Sequence, residues 1–266
     1  LEADPDLDTG DFLPPAWPLW QSDAGMQYAF PHDFDVNIPF INVDMFQRAG
    51  LATPGEDWTW SDMQSIAAKL TNDTDGDGEA DQWGFSPWFM DYWILIWSNG
   101  GDILTEDMTA SALNSPEAVE ALEYFAEFWP GRSGYIPGLE YDWEVMFRRG
   151  RVGIQPSGPW YVSTLRDSMV AFVYDVVGMP FSPRGIRATT LGGASIAITT
   201  ATPHVDEAYR FLKYLASEHV QTTMAEVVGS MPVLDKAAVS PSFLAGEGRP
   251  RNMQAFVEAT EYGRPI

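Results

Sequence analysis

Residues 146–162, MFRRGRVGIQPSGPWYV, constrain the fold of this chain more than any other stretch. Arg148 and Arg149 followed by Gly150 form a helix C-terminus, with cations facing the negative end of the dipole and glycine free to adopt the left-handed cap. Val152-Gly153-Ile154 is then a short apolar strand, which cannot close a core alone and so belongs to a larger sheet. Gly158 and Pro159 turn the chain and leave Trp160 at the start of a further helix. A Trp just beyond the carboxyl end of a buried strand stands where open α/β sheets hold ligands. It could equally cap the core, and chemistry alone leaves the two readings level.

The surrounding chain repeats this alternation. Helices are expected over residues 43–49, over a segment from 61 (Ser61 as N-cap) to 70, and over 92–98, 115–129, 141–149, 203–216, 218–227 and 250–261. Their ends carry Gly50, the Asn99-Gly100-Gly101 stop and the Ser115-Pro116 start. In the 203–216 helix, Ala208, Phe211, Leu212 and Leu215 share one apolar face. Extended segments are expected over 26–30, 36–41, 83–86, 172–178 and 194–198. The first 27 residues, rich in Pro and Asp, read as a loose segment with one short helical turn. Strands alternating with helices indicate an α/β architecture.

The 266 residues carry 38 acids against 15 bases, a formal charge of −23. Nucleic acid is thereby disfavoured as a partner, since phosphate binding needs clustered Lys and Arg. Cysteine is absent, which removes disulfides, thiol catalysis and Cys-ligated zinc. No apolar run approaches a membrane span, and the acidic first residues are unlike a signal peptide. No nucleophile elbow, phosphate loop or dinucleotide fingerprint is present. His32, His204 and His219 lack metal-ligand spacing. His32 with Asp33 and Asp35 reads better as a polar set for a neutral ligand than as an acid/base pair, because carboxylates accept from hydroxyl donors. Asp73, Asp75 and Asp77 open a loop with the alternation of a calcium site. The closing glutamate is replaced by Gly84, so a structural calcium and an Asp/Gly turn satisfying its own backbone both remain open.

Several stretches together resemble the extracellular solute-binding proteins of the maltose-binding-protein class. They are Pro31 through Asn42-Val43-Asp44-Met45-Phe46, with Ile41 and Val43 in place of Tyr and Lys, and then Trp58-Thr59-Trp60-Ser61-Asp62. The order continues with Asp75-Gly76-Asp77-Gly78 through Gln82-Trp83-Gly84-Phe85, and with Asn99-Gly100-Gly101-Asp102. It ends with Gly150 through Ile154, Gly158-Pro159-Trp160, the segment 193–198 with its following helix, and Tyr262-Gly263-Arg264-Pro265. The resemblance implies a two-lobe, type II periplasmic-binding-protein-like α/β fold with the first lobe incomplete in this chain. Residues 1–35 would be a first-lobe remnant and crossing segment, 36–180 the second lobe, and 181–266 the return crossing and more of the first lobe. It implies no enzyme and no cofactor, but a sugar or oligosaccharide held between the lobes and delivered to an ABC permease. A glycoside hydrolase and a carrier of another solute are the alternatives. It further implies a monomer on the outer side of the membrane, periplasmic or lipid-anchored. By position, Asp35 matches a ligand-binding carboxylate with Asp33 beside it. Trp160 matches a stacking aromatic, and Trp88, Met90 and Trp93 fall on a segment that supplies a second wall.

Overall fold

A computed structural model describes residues 4, 7–87, 90–129, 132–138, 142–245 and 250–265. The first part of the chain contains two 3-10 turns, Thr9–Asp11 and Pro18–Trp20, where one was expected. Short strands β1 (Phe30–Pro31), β2 (Asp35–Val36) and β3 (Ile38–Asn42) follow almost without interruption. Asn42 then caps α1 (Val43–Arg48) by accepting the Met45 N–H at 3.0 Å, and Gly50 closes the helix at a φ of 67°.

Helix α2 (Trp60–Leu70) begins two residues earlier than the Ser61 cap anticipated. Thr59 is the cap: its hydroxyl accepts the Asp62 N–H, and the Asp62 carboxylate accepts the Thr59 N–H at 2.8 Å. This reciprocal capping box satisfies two orphan donors where Ser61 would satisfy one. It also turns Trp60, Met63, Ala67 and Leu70 inward as one stripe. The chain continues through β4 (Trp83–Phe85), α3 (Tyr92–Ser98), α4 (Pro116–Ala126), α5 (Trp143–Arg148), β5 (Val152–Ser157), α6 (Trp160–Asp167) and β6 (Tyr174–Val176). Ser115 caps α4 with Pro116 at its first position, and Gly150 ends α5 at a φ of 71°, both as the residue types require.

Strands β4, β5, β3 and β6 form one sheet in that order. β4 and β5 run parallel, while β3 opposes both β5 and β6. All residues of β3, β4 and β5 are buried, as expected for a sheet covered on both faces. Helix α2 covers it through a close approach at Gly84, where an added Cβ would sit 2.0 Å from the Ala67 carbonyl oxygen. Tyr124 of α4 stacks on Trp60 at 4.3 Å and donates its hydroxyl to the Trp60 carbonyl at 2.8 Å.

The remaining elements are β7 (Thr189–Gly192), β8 (Ser195–Ile196), α7 (Val205–Leu215), α8 (Glu218–Val227), α9 (Asp235–Ala238), α10 (Pro241–Leu244), α11 (Gln254–Ala259) and β9 (Gly263–Pro265). β2, β7 and β9 form a three-stranded ribbon beside the main sheet, and β1 pairs with β8. Helix α7 departs from its sequence reading: Leu212 is buried, but Phe211 is 59% exposed. The helix has the amphipathic pattern, yet no described element covers Val205, Phe211 and Tyr214.

The Gly84 approach yields a prediction. Gly84→Ala places a methyl group against backbone that cannot rotate away, so α2 and β4 must separate. The expected cost is about 3 kcal/mol, read as a lowered denaturation midpoint with an unchanged slope.

Candidate ligand site at the sheet edge

The polarity of the strands gathers the candidate residues. β5 opposes β3, and their ladder runs from Ile41·Ile154 to Ile38·Ser157. The carboxyl end of β5 and the start of β3 therefore open on the same edge, as does the carboxyl end of the parallel β4. Asp35 lies three residues before Ile38, and Trp160 three residues after Ser157. The segment after β4 is joined to β5 by the Ser86 N–H, which donates to the Ile154 carbonyl at 2.8 Å, and it leads on to Met90 and Trp93.

Trp160 is not a core residue. It is 37% exposed, whereas Tyr161, Val162 and Leu165 of the same helix are buried to 1% or less. Tyr161 supplies the packing, edge-on to Phe40 at 5.3 Å, with its hydroxyl donating to the Glu144 carbonyl at 3.1 Å. The indole of Trp160 folds across its own turn, so that a Cβ on Gly158 would lie within 1.8–2.4 Å of three ring carbons. Glycine at 158 is thus a requirement of the ring's position.

Asp33 and Asp35 sit where the segment leading into β3 meets residues 192–194. Asp33 Oδ1 accepts the Ala194 N–H at 2.6 Å. Asp35 is paired through its backbone with Gly192, and a Cβ on Gly192 would come to 2.9 Å from Asp35 Oδ1. Gly193, at a φ of 148°, approaches the Asp33 carbonyl so closely that a Cβ would lie 2.3 Å from that oxygen. The Gly192-Gly193 pair is what allows the two chains to close around both carboxylates. The Asp35 carboxylate has no hydrogen-bond or ion-pair partner among the described residues. Burial, and then the negative charge of Asp33, raise its pKa to about 6. His32 is held by backbone: its N–H donates to Ala194 at 2.8 Å and its carbonyl accepts the Gln221 amide at 2.9 Å.

The second wall is mixed. Met90 is 3% exposed and belongs to the core cluster. Trp93 is partly buried and packs edge-on to Tyr92 at 5.0 Å, with its Nε1 buried and without a partner among the described residues. Trp88 lies outside the described residues. Sequence reasoning passed over Asp91, which begins α3 without capping it and whose carboxyl is pushed up by burial. The sequence carried no signal for this: an acid before a helix start normally caps it, and only the structure shows that Asp91 does not. The Ser157 hydroxyl and the side-chain Oδ1 of Asn37, both at this edge, are likewise buried without partners among the described residues.

Away from the edge, single carboxylate oxygens of Asp73, Asp75 and Asp77 lie within 4.8 Å of one another. The loop's own amides already engage them: Asp73 accepts from Gly76 and Gly78, Asp75 from Asp77, and Asp77 from Glu79. Asp81 turns instead to Thr74 and Arg151. The loop connects α2 to β4 and takes no part in the sheet edge.

Residues 1–250 match the family model described as bacterial extracellular solute-binding protein. The chain belongs to that family. A solved ABC substrate-binding protein from Listeria monocytogenes, in complex with cycloalternan, superposes with a TM-score of 0.87 at 24% identity, over 99% of this chain and 67% of that one. The sn-glycerol-3-phosphate-binding periplasmic protein of Rhizobium meliloti is 23% identical over 244 residues, 85% of this chain and 54% of the relative. The maltotriose-binding protein of Pyrococcus abyssi is 24% identical over 168 residues, 60% of this chain and 35% of the relative. The chain spans about half the length of the first curated relatives it matches. Its fold is the type II fold of these binding proteins. No described helix is long and apolar enough to cross a membrane.

Two predictions follow from the geometry of this solute-binding protein. Asp35 ionises at about 6 in the folded chain, above its ordinary 3.8. The stability associated with its proton is therefore complete below pH ~4 and lost as pH rises through ~6, a change of about 2 kcal/mol after discounting for partial exposure. Asp35→Asn is expected to raise the melting temperature at pH 7 and to remove this component from the pH profile, which the difference between the two proteins isolates from all other acids. Chelation, in contrast, is expected to leave the melting curve unchanged, because the Asp-rich loop closes on its own amides. A drop restored by calcium and absent in Asp75→Ala would instead assign an ion to that loop.

Proposed function

We propose that this chain takes an extracytoplasmic solute, a sugar or oligosaccharide, at the sheet edge and delivers it to an ABC permease without chemical change. The observation that carries the reading is the exposed indole of Trp160, held on a Gly-Pro turn at the same edge as the unpartnered Asp35 carboxylate. A sugar ring has an apolar face and a rim of hydroxyl donors. The indole would cover the first, contributing about 1–2 kcal/mol, and the carboxylates would accept from the second. Trp93 and Asp91 stand on the segment that faces the edge from β4.

In this reading residues 36–180, which contain the whole four-stranded sheet, are one lobe. The strands β2, β7 and β9 cross to the other, to which 1–35 and the remainder of 181–266 contribute. The uncovered apolar face of α7 supports a first lobe only partly present in this chain. The Gly192-Gly193 pair and Pro180 give the crossing chains places to bend as the lobes close on the solute. The family's other members are binding proteins, and the protein is expected to act as a monomer on the outer side of the membrane. Turnover of chromogenic glycosides is not expected.

Trp160→Ala is expected to weaken sugar binding roughly 10- to 100-fold while lowering the melting temperature little, since the ring is not in the core. Gly158→Ala is expected to produce a comparable loss, because the new methyl displaces the indole. Calorimetry of binding alongside thermal unfolding checks both. A Trp160→Ala protein that binds normally would remove the residue from the site.

A further inference from the structure

The ion-paired cations of this chain are engaged away from Asp33 and Asp35. Arg151 pairs with Asp81, Arg264 with Asp102, Arg184 with Glu120, and Lys213 with Asp4. Arg187 is held between the rings of Phe181 and Tyr262, at 4.9 and 4.3 Å. Among the described residues, no Lys or Arg pairs with Asp33, Asp35 or Asp91. Among the described residues Asp35 has neither a cation nor a donor, and Asp33 has the Ala194 N–H but no cation.

We infer that Asp35, with Asp33 beside it, selects the solute by charge: amine-bearing sugars bind more tightly than neutral ones, and phosphate-bearing solutes are excluded. The inference rests on the reading of the sheet edge as the solute site. Its physical basis is that a partly buried carboxylate without donors or a counter-ion is costly until something answers it. A neutral sugar supplies donors alone. A protonated amine supplies donors and the opposite charge. A phosphate supplies further negative charge, against carboxylates that the chain does not neutralise and within a molecule of formal charge −23.

The exposed Trp160 points in the same direction independently. The face of an indole carries the negative lobe of its quadrupole, so an ammonium group is attracted where a phosphate is repelled. An aromatic face beside carboxylates that carry no counter-ion is a combination by which proteins hold organic cations. The filter separates this chain from its relative named for sn-glycerol 3-phosphate, to which it is 23% identical.

The test uses three probes in calorimetric titrations at pH 7: the fully N-acetylated glucosamine trimer, which is neutral; the same trimer without its acetyl groups, which is cationic; and sn-glycerol 3-phosphate. The cationic trimer is expected to bind at one site about tenfold more tightly than the neutral one, with no saturable binding of the phosphate. Asp35→Asn should abolish the preference, bringing the two trimers to the same affinity. General attraction to an acidic surface cannot imitate this, because the substitution removes only one of many negative charges. Equal affinity for the two trimers, saturable phosphate binding, or a preference that survives Asp35→Asn overturns the filter. Binding of neither trimer also overturns it, and titration with maltotriose then separates the two failures. Saturable maltotriose binding leaves the solute-binding reading standing, and its absence removes that reading as well.

Discussion

The backbone ladder between β3 and β5 is the constraint from which the rest of the structure follows. It joins Ile38 through Ile41 to Ile154 through Ser157, segments more than a hundred residues apart, and every residue in it is buried. Its buried amides and carbonyls must pair, so the register is stringent: a slip of one residue would reverse the faces presented by Phe40 and Gln155. That register decides which residues leave the sheet together. Asp35 and Trp160 stand equally far from its last pair, on opposite chains. Their placement at one edge is a consequence of the ladder, with no direct bond between them required.

The ribbon of β2, β7 and β9 has a different character. Asn37 donates to the Thr190 hydroxyl at 2.8 Å, and the Thr189 hydroxyl donates to the Asn37 carbonyl. Tyr262 accepts the Met179 N–H at 3.2 Å, and the Arg264 guanidinium reaches Asp102 at 2.7 Å while lying over Trp97. These side-chain bonds tie the ribbon to the elements around the main sheet. Polar contacts of this kind fix direction and register, while the glycines at 192 and 193 keep the adjacent backbone able to bend.

Acidity gives the molecule its electrostatic plan. With 38 acids and 15 bases, most carboxylates have no cation available. Many are answered by backbone or hydroxyl donors, as in the Asp-rich loop and at Asp107, where Thr105 and Thr109 hold the pKa down. Asp35 is instead enclosed by the glycine backbone without a donor. The difference lies in the surroundings: an exposed carboxylate is solvated at little cost, whereas a partly buried one without donors carries a desolvation penalty.

Much of the local structure was legible in the residues themselves. The limits of α3 and α8, the Asn42 and Ser115 caps and the Gly50 and Gly150 stops are written in short-range chemistry, because capping bonds and left-handed glycines act within one turn. The ordered set of weak motifs also reached the family. Other matters were decided only by tertiary structure. Thr59 rather than Ser61 caps α2 because Trp60 must turn inward. Phe211 has the spacing of a core residue but lies exposed, since periodicity names a face and not what covers it. Whether Trp160 was core or surface was undetermined in sequence, and Tyr161 decided it by taking the packing place against Phe40 and Phe147. The unanswered charge of Asp35 was equally invisible, because a carboxylate's partners come from distant parts of the chain and only folding shows that none arrives.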